Sequence, residues 1–151
     1  MKFRAKVAVV TGGAKGIGRA IAEHYAQEGL EVYVADRLED EARETAKAIG
    51  ARATAIAVDV ADDASVQAMI STIVERSGGI DVLVNNAGIF DMQPLLELTR
   101  ESYHRVFSVN VEGLLFTLQA VARHMVERGR GGKIINLASQ AGRRGEPLVA
   151  V

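Results

Sequence analysis

One short stretch of the chain, Val7–Arg19, constrains the fold more than any other (V-A-V-V-T-G-G-A-K-G-I-G-R). It begins with an apolar run, Val7–Val10, which is typical of a parallel-sheet strand buried on both faces. Gly12, Gly16 and Gly18 follow, and the apolar spacing of a helix continues after them. Glycine lets backbone approach a ligand closely, and the amino end of a helix offers free N–H groups and a positive dipole. The order of strand, glycine turn and helix therefore predicts a phosphate-binding site, although a tight turn without a ligand can also use three glycines.

The rest of the chain alternates short apolar runs with longer segments of helical spacing. Further strands are predicted at Glu31–Ala35, Ala53–Val58, Ile80–Val84 and Lys133–Ala138. Helices are predicted at Leu38–Ile49, from the Ala61–Ala64 segment to Ser77, and at Glu101–Glu127 with an interruption near Asn110 and Gly113. Strands that alternate with helices form βαβ units and a parallel sheet. Ligands bind at the carboxyl ends of such strands, so the polar residues there are the candidates for a site.

Composition bounds the class of protein. With 151 residues, 48% of them hydrophobic, the chain suffices for one domain with a core and is too short for two of ordinary size. A net charge of −1 gives no basic excess for binding nucleic acid or an anionic membrane. No apolar run approaches the roughly 20 residues of a membrane helix, and we expect no signal peptide.

The cysteine and histidine content limits the disulfide and metal chemistry open to the chain. The chain has no cysteine, which excludes a disulfide framework and a thiolate metal site and is compatible with a reducing cytoplasm, the predicted location. His24, His104 and His124 share no metal-ligand spacing, and we predict all three on helix surfaces and no bound metal.

The glycine turn resembles the mark of the short-chain dehydrogenase/reductase family, T-G-x-x-x-G-x-G, which is matched by Thr11, Gly12, Gly16 and Gly18. The resemblance runs from Lys6 onward and implies a Rossmann-like, doubly wound parallel sheet in the strand order 3-2-1-4-5 with helices on both faces. It also implies an oxidoreductase that transfers a hydride between a secondary alcohol or ketone and a nicotinamide cofactor. A homo-oligomer, either a dimer or a tetramer, is the expected assembly.

Asp36 is the residue from which we predict the cofactor. By position alone it is equally a turn residue, a helix cap or a ribose ligand. In the family, an acid at the end of the second strand implies NAD, because its charge repels the 2′-phosphate of NADP. Lys15 and Arg37 are basic residues of the kind that NADP-preferring relatives use, yet we predict NAD in preference to NADP.

Further cofactor contacts are implied after the third and fourth strands. Asp59 and Val60 resemble the family's adenine contact, although Asp59 also suits the start of a turn. The N-N-A-G sequence at 85–88 resembles the family's motif, in which asparagines pin neighbouring strands and small residues let backbone approach the cofactor ribose. The complete predicted cofactor set is Gly12, Lys15, Gly16, Ile17, Gly18, Asp36, Asp59, Val60, Asn86 and Gly88.

The resemblance also implies catalytic and substrate residues. Ser139 corresponds to the catalytic serine and Asn110 to the asparagine of the proton relay; otherwise they are a capping hydroxyl and a kink in a helix. The run from 133 to 146 resembles the polyol (sorbitol and galactitol) dehydrogenases of the family, for which Gln140 and Glu146 would bind the sugar alcohol.

One part of the family pattern is missing from the 151 residues. The Tyr-x-x-x-Lys pair that supplies the general acid/base is expected beyond Ser139, and the chain ends at Val151. We therefore expect residues 1–151 to be the amino-terminal part of the cofactor-binding domain and to be inactive alone. Three functions remain open: a polyol dehydrogenase, a 3-oxoacyl reductase of the same family, and a non-catalytic nucleotide-binding or interaction fragment.

Overall fold

A parallel sheet organises the computed structural model, which describes residues 6–145 and Leu148. Its strands are β1 (Val7–Thr11), β2 (Glu31–Asp36), β3 (Ala53–Ala57), β4 (Val82–Asn85) and β5 (Lys133–Asn136). They pair in the order β3-β2-β1-β4-β5, which confirms the predicted topology. The helices are α1 (Gly16–Gln27), α2 (Glu39–Ile49), α3 (Asp63–Ser77), α4 (Arg100–Phe107) and α5 (Leu114–Arg128), with short 3₁₀ turns at Leu95–Glu97 and Gln140–Gly142.

The sheet separates two apolar cores, because successive strand residues point to opposite faces. In β1, Val7 and Val9 face the core formed with α3 and α5. Ala8 and Val10 face the core formed with α1 and α2. Alanines dominate the second core's helices, and their small side chains let α1 and α2 lie close to the sheet; they are Ala22, Ala26, Ala42 and Ala46.

The long helical segment is interrupted where the sequence predicted. Residues Ser108–Gly113 form a π-helical turn between α4 and α5. Gly113 lies against the backbone and side chain of Val60, since a Cβ at Gly113 would be 2.9 Å from the Val60 Cγ2. The π turn therefore packs on the loop that follows β3, at a point where a larger residue would not fit.

Asp81 joins three segments at the amino edge of the sheet, meaning the edge where the strands begin. Its Oδ2 accepts hydrogen bonds from the backbone N–H groups of Lys6 at 2.7 Å and Val7 at 3.1 Å. Its Oδ1 accepts one from the Arg128 guanidinium at 2.7 Å. Burial acts to raise the pKa of Asp81, but the two amides and Arg128 outweigh it and hold this pKa below its ordinary value. The Arg128 side chain, at the carboxyl end of α5, is therefore fixed by an ion pair.

The histidines divide into two groups. His24 and His104 are exposed on helices, as predicted. His124 is half-buried instead, and its Nε2 accepts a hydrogen bond from the Ile80 N–H at 3.3 Å. Burial, and then the nearby Arg128 charge, lower the pKa of His124. The strand that we predicted to begin at Ile80 begins at Val82 instead.

Candidate functional site

A cleft of about 690 Å³ lies at the carboxyl edge of the sheet, where the strands end. The glycine turn, the ends of β2, β3 and β4, and α4 surround it. All predicted cofactor residues except Gly18 line this cleft; they are Gly12, Lys15, Gly16, Ile17, Asp36, Asp59, Val60, Asn86 and Gly88. The structure thus brings together side chains from four separate turns, as the parallel sheet predicted.

Gly18 has a packing position beneath the turn. It is buried, and a Cβ there would lie 2.2 Å from the carbonyl oxygen of Gly12. Gly12 itself has φ +63°, and a Cβ on it would lie 2.9 Å from the Ala87 Cα. Gly18 is required for the close contact between α1 and the turn. Gly12 is required for its left-handed backbone and for its contact with the loop after β4.

The amino end of α1 suits a pyrophosphate. Lys15 precedes the helix in an extended conformation and makes no side-chain capping hydrogen bond to it. The first residues of the helix, Gly16 and Ile17, line the cleft beside Gly12, and no cap side chain occupies the N–H groups there. Donors of this kind, at the positive end of a helix dipole, fit the phosphates of a dinucleotide.

Asp36 has the turn role considered for it and lines the cleft, whereas the cap position of α2 is Leu38. Its Oδ2 accepts from the Ala14 N–H at 3.0 Å, and its Oδ1 accepts from the Leu38 N–H at 3.0 Å. The carboxylate thus fixes the glycine turn and starts the loop to α2. An ionised carboxylate has about four acceptor positions, so two remain for a ligand in the cleft that Asp36 lines.

The two basic residues near Asp36 differ in their environment. The Nζ of Lys15 is 3.1 Å from a carboxylate oxygen of Glu41, so Lys15 is directed toward α2. The Glu41 backbone N–H, and then Lys15, lower the pKa of Glu41. Arg37 is exposed and lines the cleft.

Asp59 begins a turn and also lines the cleft. Its Oδ1 accepts from the Ala61 N–H at 3.0 Å, and its own N–H donates to the Ser65 hydroxyl at 2.9 Å. Val60, next in the chain, is 8% exposed. The hydrogen bonds fix the turn that holds both residues at the end of β3.

The asparagines after β4 pin neighbouring segments, as predicted. The Asn85 side chain donates to the Asn136 side chain at 3.0 Å and so links β4 to β5. The Asn86 amide donates to the carbonyl oxygens of Thr11 and Gly12, each at 3.0 Å. This second amide holds the β4 loop against the glycine turn.

The predicted catalytic residues lie outside the lining of the cleft. Asn110 binds the backbone of Ile89, accepting from its N–H at 2.9 Å and donating to its carbonyl at 2.7 Å. Ser139 is exposed, and its Oγ accepts from the Ala141 N–H at 3.1 Å, which is the capping role. Gln140 is exposed in the same 3₁₀ turn. Glu146 falls outside the described residues.

Eight lining residues lie outside the predicted cofactor set; they are Arg37, Leu38, Val58, Ala87, Ile89, Phe90, Arg105 and Val109. The sequence pointed to Arg105 and Val109, because Val109 directly precedes the predicted site residue Asn110. Arg105 is four positions earlier, and residues four apart share one helix face. Phe90 is an aromatic residue between a predicted strand and a predicted helix, where an apolar side chain has no core to enter.

Residues 6–145 and Leu148 contain no group of three or more His, Asp or Glu side chains placed to hold a metal ion. No helix among these residues is long and apolar enough to cross a bilayer.

The fold and the glycine turn define this chain as a Rossmann-like α/β domain. A sequence model of the short chain dehydrogenase family matches residues 6–151, and the chain belongs to that family. A crystal structure of a 3-ketoacyl-(acyl-carrier-protein) reductase from Brucella melitensis, complexed with NADH, superposes with a TM-score of 0.92 and 33% identity. That match covers 99% of this chain and 63% of the other.

Curated relatives carry names of sugar-alcohol enzymes. The chain is 56% identical to a sorbitol dehydrogenase of Cereibacter sphaeroides and 50% identical to a galactitol 2-dehydrogenase of Agrobacterium fabrum. Both matches cover all of this chain and 59% of the relative. An L-2,3-butanediol dehydrogenase of Corynebacterium glutamicum is 47% identical over 96% of this chain and 58% of its own length. The chain thus spans a little over half the length of these relatives.

Proposed function

We propose that the protein containing this chain is an NAD-dependent dehydrogenase of sugar alcohols. The observation that carries the proposal is the cleft in which an uncapped helix terminus and the Asp36 carboxylate lie together. The names of the relatives, sorbitol and galactitol 2-dehydrogenase, support the substrate class. A bound nicotinamide cofactor supplies the hydride acceptor for such an oxidation.

The residues of this chain would bind and orient the cofactor. The first turn of α1 holds the pyrophosphate, and Asp36 accepts from the adenosine ribose hydroxyls while its charge opposes a 2′-phosphate. Asp59 and Val60 contact the adenine, and Asn86 and Gly88 face the ribose. Lys15 supports the NAD assignment, since its ammonium is paired with Glu41.

Ser139 would hydrogen-bond the substrate oxygen through its Oγ, with Gln140 and Glu146 binding further hydroxyls. The three tyrosines of the chain, Tyr25, Tyr33 and Tyr103, do not line the cleft. The family resemblance implies a Tyr-x-x-x-Lys pair as the general acid/base, and because none of these three tyrosines lines the cleft we expect residues 1–151 alone to turn over no substrate. General acid/base catalysis contributes about 10²–10⁴-fold.

Asp36→Asn tests the cofactor assignment. The variant removes the repulsive charge and keeps one carbonyl acceptor for the turn, so we expect NAD affinity to fall about tenfold, equivalent to about 1.4 kcal/mol, and NADP affinity to rise. Calorimetric titration of both cofactors into the full-length protein gives the two constants. Asp40→Asn is the matched control, because it makes the same charge change at a side chain that is 92% exposed. Tighter binding of NADP than NAD by the parent protein would show that Arg37 prevails.

The turnover assay separates the remaining candidates. We expect NAD-linked oxidation of sorbitol or galactitol by a preparation whose intact mass is that of the full-length protein. Preferential reduction of a 3-oxoacyl thioester would instead support the ketoacyl reductase, which the superposition on the Brucella enzyme favours. Absence of any nucleotide binding would support the non-catalytic alternative.

A further inference from the structure

Phe90 is an exposed aromatic residue in the wall of the cleft. Its side chain is 73% exposed although it lines a concave site. A phenyl ring gains from burial, at about 25 cal/mol for each Å² removed from water. Nothing in the described part of the chain covers this ring, so the gain is available to a ligand.

The segment that carries Phe90 is fixed at the residues on either side. Asn110 binds both the N–H and the carbonyl of Ile89, as described above. The Asp91 carboxylate accepts from the Ser102 hydroxyl at 2.6 Å and forms an ion pair with Arg105. Two residues of α4 and one of the π turn thus hold the positions before and after Phe90.

The attachment continues at alternate residues. The Gln93 N–H donates to the Leu148 carbonyl at 3.0 Å, and the Gln93 side chain donates to Asp91 at 3.0 Å. The odd-numbered residues 89, 91 and 93 are therefore held by the protein. The even-numbered Phe90 and Met92 are exposed, and of these two only Phe90 lines the cleft. An attached backbone with an exposed ring is the arrangement of a preformed contact, since little ordering entropy remains to be lost on binding.

The strand order places Phe90 at a particular end of the cleft. Asp36 ends β2, on one side of β1 and its glycine turn. Phe90 follows β4, on the other side, next to β5 and the Ser139 turn. A dinucleotide whose adenosine meets Asp36 and whose phosphates meet the glycine turn would direct its reacting end toward the β4 side.

We infer that Phe90 is a specificity residue whose ring packs against the carbon chain of the substrate, and that Asp91 is a positioning residue that holds it there. This inference rests on the proposed function and extends it to a contact between the Phe90 ring and the substrate. A sugar alcohol presents C–H groups between its hydroxyls, and ligand sites combine such apolar contacts with a few polar groups.

Substrate kinetics of Phe90→Ala in the full-length protein measure the contact. We expect the KM for sorbitol to rise about tenfold, with the Kd for NAD changed less than twofold, because the variant removes apolar contact with the substrate alone. Leu96→Ala is the matched control, since Leu96 is 98% exposed in the neighbouring 3₁₀ turn and does not line the cleft. Circular dichroism verifies that both variants are folded.

A spectroscopic test reports contact without turnover. The 151 residues contain no tryptophan, so Phe90→Trp adds an indole whose emission is obtained by subtracting that of the parent protein. We expect sorbitol to change this emission in NAD-saturated protein and to leave the emission of Leu96→Trp unchanged. Adding Asp91→Asn to Phe90→Trp should lower the anisotropy of the indole and raise the KM about threefold, with kcat unchanged; Asp40→Asn is its control.

The outcomes separate the inference from the proposed function. An unchanged KM for Phe90→Ala in a protein that oxidises sorbitol with NAD overturns the inference alone. An indole that responds to NAD and shows no further response to sorbitol places the ring against the cofactor, which also overturns it. A parent protein that binds no NAD removes the proposed function and the inference together.

Discussion

Asp36 and Asp81 lie at opposite edges of the same sheet and make similar backbone contacts, yet their surroundings differ. Each carboxylate accepts two backbone N–H groups. At the amino edge, the remaining oxygen of Asp81 binds Arg128, and both side chains are mostly buried. At the carboxyl edge, Asp36 lines a cleft and makes no ion pair among the described residues.

Carboxylates that accept backbone N–H groups therefore stabilise the fold at the amino edge, and at the carboxyl edge they also line a candidate ligand site. The polar groups of the amino edge satisfy one another, as in the Tyr33 hydroxyl that hydrogen-bonds the Ser77 hydroxyl at 2.7 Å and Glu31 at 3.2 Å. The carboxyl edge instead combines glycine, an uncapped helix and partly used carboxylates. We expect substitutions at the amino edge to lower stability and leave cofactor affinity unchanged, and those at the carboxyl edge to lower cofactor affinity.

Asp81→Asn should have the largest effect on stability. It leaves Arg128 without its carboxylate at a position where the Arg128 side chain is 12% exposed, and we expect a loss of about 3 kcal/mol in the free energy of unfolding at pH 7. Urea unfolding measures the loss, and NAD affinity should stay unchanged. Glu23→Gln is the control, because it breaks an exposed pair with Arg19 and should cost under about 0.5 kcal/mol.

The pH dependence of Asp81→Asn has a defined sign. The pKa of Asp81 is lowered in the fold, so its carboxylate stabilises the fold at every pH above the ordinary value of about 3.9. This contribution is lost as the pH falls through the folded pKa. The difference between parent and variant should therefore narrow in acid; a constant difference would mean that packing, and not charge, is what the variant removes.

Gly18→Ala should have an intermediate effect on stability and a large one on the site. Its Cβ would lie 2.2 Å from the Gly12 carbonyl and 2.5 Å from the Asn86 amide nitrogen, so the turn or α1 must shift. We expect a loss of about 2 kcal/mol in the free energy of unfolding and a fall of more than tenfold in NAD affinity. Gly142→Ala is the control, since its Cβ would meet no atom within 4 Å. Unchanged NAD affinity in Gly18→Ala would remove the glycine turn from the site.

His124→Gln should have the smallest effect, visible only through pH. Because the folded pKa of His124 is lowered, the neutral ring stabilises the fold fully above the ordinary value of about 6.5. Protonation then removes the acceptor of the Ile80 N–H as the pH falls from that value through the folded pKa. Between pH 7.5 and 5, the free energy of unfolding, measured with urea, should fall by about 1 kcal/mol more in the parent than in His124→Gln. His24→Gln, at an exposed helix position, is the control and should show the same pH dependence of stability as the parent. If His124→Gln also showed the parent's pH dependence, the stabilising role of the neutral His124 ring would be refuted.

The sequence predicted residues at the strand ends of the cleft better than residues of the loop from 89 to 93 and of α4. The strand order was implied by the family resemblance and is confirmed. The cofactor set was predicted from the glycine turn, from the ends of the second and third strands and from the 85–88 motif, and all of it except Gly18 lines the cleft. Phe90 and Arg105 were missed, because their place in the cleft depends on how Asp91 and Asn110 attach the loop to α4 and the π turn.

What the sequence by itself determined is local: a buried strand enters a glycine turn, a helix follows, and the pattern repeats around a parallel sheet. Only the tertiary structure decided which polar residues are used internally. Asp81 meets Arg128 across 47 positions, and His124 meets Ile80 across 44. Such contacts form only after strands and helices pack, because side chains far apart in the chain approach one another through the shared core and not through local spacing.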